Sequence, residues 1–144
     1  MKKESKNQKV VLSKKSAWII LIALVLLDAI LDVRRGTEGN PLWQPIVSII
    51  GVNYVPLLVP IALLFFYFVV KGGAWLIKTI DKVESEELIL TALVLAYAVF
   101  DLWVISVDFF GLRLIQNHYY LTTILVLITL IYSLWAESKL KKKR

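Results

Sequence analysis

Four stretches of this chain, roughly residues 17–33, 54–70, 88–112 and 119–135, are apolar for long enough to cross a hydrocarbon layer of about 30 Å as helices. Lipid offers no water to satisfy backbone N–H and C=O groups, so each such stretch has to close its own hydrogen bonds. The expected fold is therefore all-α, an integral membrane four-helix bundle. Composition agrees, with 58% hydrophobic residues, 19% charged residues and a mean hydropathy of +0.71, far from the balance of a soluble domain. A basic segment, residues 1–16, precedes the four-span domain of residues 17–135, and a basic tail, 136–144, follows it.

Charge sets the expected orientation. Lys2, Lys3, Lys6, Lys9, Lys14 and Lys15 precede the first span, Lys71, Lys78 and Lys82 lie between the second and third, and Lys139, Lys141, Lys142, Lys143 and Arg144 close the chain. Only Arg34, Arg35 and Arg113 fall on the other side. This asymmetry predicts both termini in the cytoplasm and the chain in the cell membrane. The first span is expected to stay uncleaved, because no convincing small-residue cleavage site follows its charged start.

Aromatic residues mark the two boundaries. Trp18, Trp75 and Trp135 sit at the expected cytoplasmic interface, and Trp43, Tyr54, Tyr119 and Tyr120 at the outer one. The apolar run of residues 42–50 is too short to span and reads as an outer interfacial segment. Pro56 suits the opening of the second span, Pro60 is expected to kink it, and Gly72-Gly73 to close it. Residues 74–87 then read as a short amphipathic interfacial helix. Anionic lipid headgroups are the expected partners of Lys14, Lys15, Lys78, Lys82, Lys139 and Lys141. A net charge of +6 distributed in this way points to membrane topology and not to nucleic acid.

Against this apolar background stand Asp28, Asp32, Asp101 and Asp108. An ionisable group in hydrocarbon costs several kcal/mol unless it faces water, protein or a partner, so each is a functional-site candidate. Counting helical rise from Ala17 and Leu88 places Asp28 and Asp101 roughly 17–20 Å above the cytoplasmic boundary. Asp32 lies one turn higher and Asp108 about 10 Å above Asp101. Spacings of four and seven put each pair on one face of its helix, with Tyr97 extending the second stripe inward. A bundle that turns these faces together keeps the carboxyls out of lipid. Thr122 and Thr129 add hydroxyls on the fourth span.

Glu38 and Asn40 supply further oxygen ligands in a turn fixed by Pro41, and they complete the candidate proton or cation site. No cofactor is expected; a divalent cation such as calcium or magnesium is the alternative occupant. The single histidine and the absence of cysteine exclude a Cys-ligated zinc or iron–sulfur centre.

The segments Leu27-Asp28-Ala29-Ile30-Leu31 and Gly36-Thr37-Glu38-Gly39-Asn40-Pro41-Leu42 resemble an uncharacterised family of small multi-pass proteins from archaea and bacteria. That family carries an aspartate in its first helix and a Glu-x-Asn-Pro turn after it, often with threonine at the position of Asp32. The resemblance covers residues 24–45 and implies a shared fold and topology, with Asp28, Glu38, Asn40 and Pro41 as the motif positions.

Two functions are compatible with these features. The base-rate expectation is a small non-catalytic membrane subunit or assembly factor with a buried acidic cluster. The alternative is a small ion- or proton-coupled, channel-like protein using Asp28 and Asp101. A second copy of the chain or another membrane protein is the expected macromolecular partner. An enzyme is not expected, since the Asp28-x-x-x-Asp32 spacing lacks the fuller acidic motifs of membrane transferases that hold a diphosphate through magnesium.

Overall fold

The computed structural model describes residues 10–81, 85–112 and 117–141. Helix α1 runs from Lys14 to Arg35, the short α2 from Gln44 to Ile50, α3 from Val55 to Asp81, α4 from Glu86 to Val104 and α5 from His118 to Lys141. A 3-10 turn, Val52–Tyr54, leads into α3, and a π turn, Ile105–Phe109, continues α4. Among the described residues all regular structure is helical. Four segments are long and apolar enough to cross a membrane, namely Lys14–Arg35, Val52–Ile80, Glu86–Phe109 and Tyr120–Leu140. This is the architecture of a multi-pass membrane protein.

Helix α4 is the centre of the molecule, touching α1, α3 and α5, while α5 packs chiefly on α4. Burial follows from these neighbours. In α1 the buried stripe is Ala17, Leu21, Val25, Asp28 and Asp32, at helical spacing, so the two acids occupy the same face as the apolar packing residues. In α4 it includes Leu90, Val94, Tyr97, Asp101 and Val104. The main core joins these faces with Val59, Ala62, Phe66 and Val70 of α3. Only 11% of the most apolar part of α5 is buried within the chain. Three helices therefore surround the acids, and the fourth span flanks them.

Local chemistry explains the ends. Ser13 caps α1, its Oγ accepting from the Ser16 N–H at 3.3 Å. Gly36 ends α1 in the left-handed region at φ 76°, its N–H donating to the Asp32 carbonyl at 2.9 Å. Asn40 Oδ1 accepts from the Leu42 N–H at 3.0 Å, an Asx-turn that carries the chain through Pro41 into α2.

Several expectations are corrected. Gly72-Gly73 does not close the second span; α3 continues through both glycines to Asp81. A Cβ on Gly73 would lie 3.0 Å from Ile89 Cδ1 of α4, so this glycine serves close helix approach instead of termination. The separate interfacial helix expected at 74–87 is accordingly the last two turns of α3 up to Asp81, with Ser85 opening α4. Lys82 lies outside the described residues, as does Arg113. The fourth helix runs six residues past 135, to Lys141. Pro60 sits inside α3, where it removes one backbone donor without ending the helix.

Candidate functional site

The α1 stripe carries Asp28 and Asp32 against α4, which presents Asp101 and Tyr97 at matching heights. Asp28, Asp32, Asp101 and Glu38 are 5%, 0%, 2% and 6% exposed. Asp28 and Asp101 are close neighbours, and so are Asp32 and Glu38. When both members of such a pair are ionised, neither can donate. Asp28 Oδ1, Asp32 Oδ2 and both carboxyl oxygens of Asp101 are then buried without a partner. One added proton converts each contact into a hydrogen bond.

A single cation compensates these groups. Arg35, at the last turn of α1, bonds Asp32 through Nη2, donates to Asp108 Oδ2 through Nη1 at 2.8 Å and to the Thr37 carbonyl through Nε at 3.1 Å. The π turn is what brings Asp108 there. A regular helix would put Asp108 on the face of Asp101, whereas one extra residue in the turn rotates the residues after it by about 100°. Asp101 stays inside while Asp108, with a side chain 26% exposed, reaches the rim. The expected common face of Asp101 and Asp108 is thus interrupted. Among the described residues, five carboxyls share this end of the molecule with Arg35, which is held between two of them, and with an exposed Arg34.

Glu38, an expected oxygen ligand in the turn after the first span, is buried. Its Oε1 accepts from the Asn40 N–H at 2.6 Å, and its carbonyl accepts from Gln44 Nε2 at 3.1 Å. Burial, reinforced by the nearby charge of Asp32, pushes the Glu38 carboxyl from the usual 4.5 up to about 8, against the opposing pull of the Asn40 N–H. A carboxyl raised in this way stabilises the fold fully below about pH 4.5 and loses that contribution as pH rises through about 8. Glu38→Gln should therefore flatten part of the fall in melting temperature between pH 5 and 8, by roughly 5 °C, in detergent-solubilised protein. Equal slopes for both proteins would contradict this account of Glu38.

Beneath this turn lies a cavity of about 20 Å³, lined by Asp28, Glu38, Trp43 and Tyr97 with apolar walls from Val25, Val59 and Ala62. That volume admits about one water molecule. Trp43, just before α2, lines this cavity together with Tyr97, and the Tyr97 ring meets Phe66 edge to face at 5.5 Å. These rings close the cavity on the side of the core. Asp28 and Glu38, both motif positions of the first-helix and turn resemblance, thereby share one small polar space.

The other sequence candidates lie outside this space. Asn40 organises the turn and does not line the cavity. Lys14 is bonded to Glu86, while Lys15 and Lys139 are exposed. The side chain of Lys141 lies outside the described residues. The sequence marked Trp43 only as a boundary aromatic, did not mark Gln44, and gave Arg35 only as one of three arginines on one side of the membrane. The i, i+3 spacing of Asp32 and Arg35 was the available signal. Among the described residues no group of three or more His, Asp or Glu side chains is arranged to hold a metal ion.

Comparison of the chain with protein-family models, curated proteins and solved structures finds no match.

Proposed function

We propose that this chain is a small, non-catalytic multi-pass membrane protein that takes up and releases a proton at the Asp28–Asp101 pair. Glu38 and the small cavity connect the pair to the end of the molecule that carries residues 36–54. By the charge asymmetry of the sequence that end faces outward and the termini face the cytoplasm. The supporting observation is that four carboxyl oxygens are buried and unpartnered, while Arg35 is taken up by Asp32 and Asp108 and Arg34 is exposed. In a low-dielectric interior such oxygens are satisfied by protons or by a small cation. A purely structural acidic cluster would be expected to meet donors on neighbouring helices, and Asp101 meets none.

The two carboxyls face each other across α1 and α4, so a change in their shared protonation acts on the most extensive helix contact in the molecule. That is the physical basis for coupling a proton to helix rearrangement. The membrane-subunit reading keeps one observation in its favour, the large unburied surface of α5.

Infrared difference spectroscopy tests the proposal directly. Native protein in vesicles should show a protonated carboxylic C=O band whose amplitude changes with pH, and Asp101→Asn should remove or shift it. An unchanged band in Asp28→Asn and in Asp101→Asn would rule out this pair as the acceptor.

A further inference from the structure

The end of the molecule opposite the carboxyls holds a second cavity. Helix α3 spans 27 residues, about 40 Å, which exceeds a 30 Å hydrocarbon core by roughly two turns. Its final turns therefore stand at headgroup height beside the starts of α1 and α4. Between them is a cavity of about 560 Å³. Its charged groups are unevenly satisfied. Glu86 bonds both Lys14 and Lys71, so those three charges largely answer one another. Lys78, on the wall of the cavity, has no ion pair among the described residues. Glu87 accepts only the Lys14 backbone N–H, at 3.3 Å, and has no ion pair there either.

Ser85 adds an independent sign of a missing ligand. It lines the same cavity, is 1% exposed, and its Oγ is buried with no hydrogen-bond partner. It sits at the cap position of α4, yet its side chain makes no capping bond, so the first N–H groups of that helix also lack an intramolecular acceptor from it. Among the described residues the cavity thus offers an ammonium and a carboxylate without an ion pair, and an unbonded hydroxyl, beside a helix N-terminus. Trp75, 70% exposed, stands at its rim. Exposed indoles of this kind suit the membrane interface.

The complementary ligand carries a phosphate and a primary ammonium a few bonds apart. A phosphate can accept from Lys78, from the Ser85 hydroxyl and from the start of α4. The ammonium can donate to Glu87. A headgroup with negative charge alone would leave Glu87 unanswered and face it at close range, and a quaternary ammonium has no proton to donate. We propose that this cavity binds the phosphoethanolamine headgroup of a lipid in the leaflet next to the chain termini. The acyl chains would lie along the exposed apolar face of α3, of which Phe68 is part.

The full chain, reconstituted in nanodiscs of equal parts phosphatidylethanolamine, phosphatidylglycerol and phosphatidylcholine, supplies the test by native mass spectrometry of retained lipid. Phosphatidylethanolamine should be retained about tenfold over either competitor, the equivalent of one decade in binding constant. Lys78→Gln and Glu87→Gln should each return retention to the bulk ratio, while Lys78→Arg preserves it. Helical content measured on the same samples identifies variants that have unfolded, and Ser85→Ala offers a milder second probe. Preferred retention of phosphatidylglycerol or phosphatidylcholine, or retention indifferent to Lys78 and Glu87, overturns the proposal. Soluble phosphoethanolamine that displaces the lipid completely at equal concentration would assign the cavity to a free phosphate ester and overturn the lipid assignment.

Discussion

A chain carrying Asp28→Asn and Asp101→Asn together should be about 3 kcal/mol more stable than the native protein at pH 9 and should lose much of its pH dependence above neutrality. In the unfolded chain these carboxyls are ionised in water above about pH 5. In the folded chain they face each other, buried, with Arg35 engaged elsewhere by Asp32 and Asp108. Folding at alkaline pH must either retain a proton that the unfolded chain has released or bury uncompensated charge. Both make native stability fall as pH rises. Asparagines remove the charge and supply donors, so the two amides can bond across the helix interface. Even one asparagine gives the remaining carboxylate an N–H partner, and each single variant should recover part of the gain. Unfolding curves in detergent at pH 6, 7.5 and 9 measure the effect. Parallel pH profiles for native and double-variant protein would remove the physical basis of a proton site.

Arg35→Gln should have the opposite effect, destabilising the bundle by about 3–5 kcal/mol near neutral pH, because it strands a fully buried Asp32 carboxylate and frees Asp108. The guanidinium serves two carboxylates on different helices and a backbone carbonyl at once. Arg35→Lys should rescue only part of the loss, since one ammonium on a flexible stem lacks the planar fork that spans both acids. Adding Asp32→Asn to Arg35→Gln should recover stability, because the stranded charge is then gone. Thermal unfolding of the native protein, Arg35→Gln, Asp32→Asn and the double variant checks the cycle, and additivity of the two substitutions would show that Asp32 and Arg35 are not coupled.

The four long apolar helices were legible from apolar length. That Asp28 and Asp32 share one face of α1 was legible from their spacing of four. Other features were not. Gly72-Gly73 has the look of a helix end, and only the approach of Ile89 from α4 explains why the helix continues. Asp101 and Asp108 have the spacing of one face, but the π turn separates them. A π turn leaves no reliable trace in residue type, because it is selected by what Arg35 and the rim of the bundle accept.

Glu38 shows the boundary between the two levels most clearly. As a residue in a polar turn between Gly36 and Pro41 it reads as solvated, yet the folded turn buries it beside Asp32 and above Asp28. The sequence by itself determined the class of fold and the number of apolar spans, because hydropathy over a helix length is a property of a single segment. Which carboxyls meet, which cation they share and what space lies between them were decided only by tertiary structure. Those depend on the rotation of one helix about its axis against the next, a quantity that local preferences leave free until the side chains of both faces are packed together.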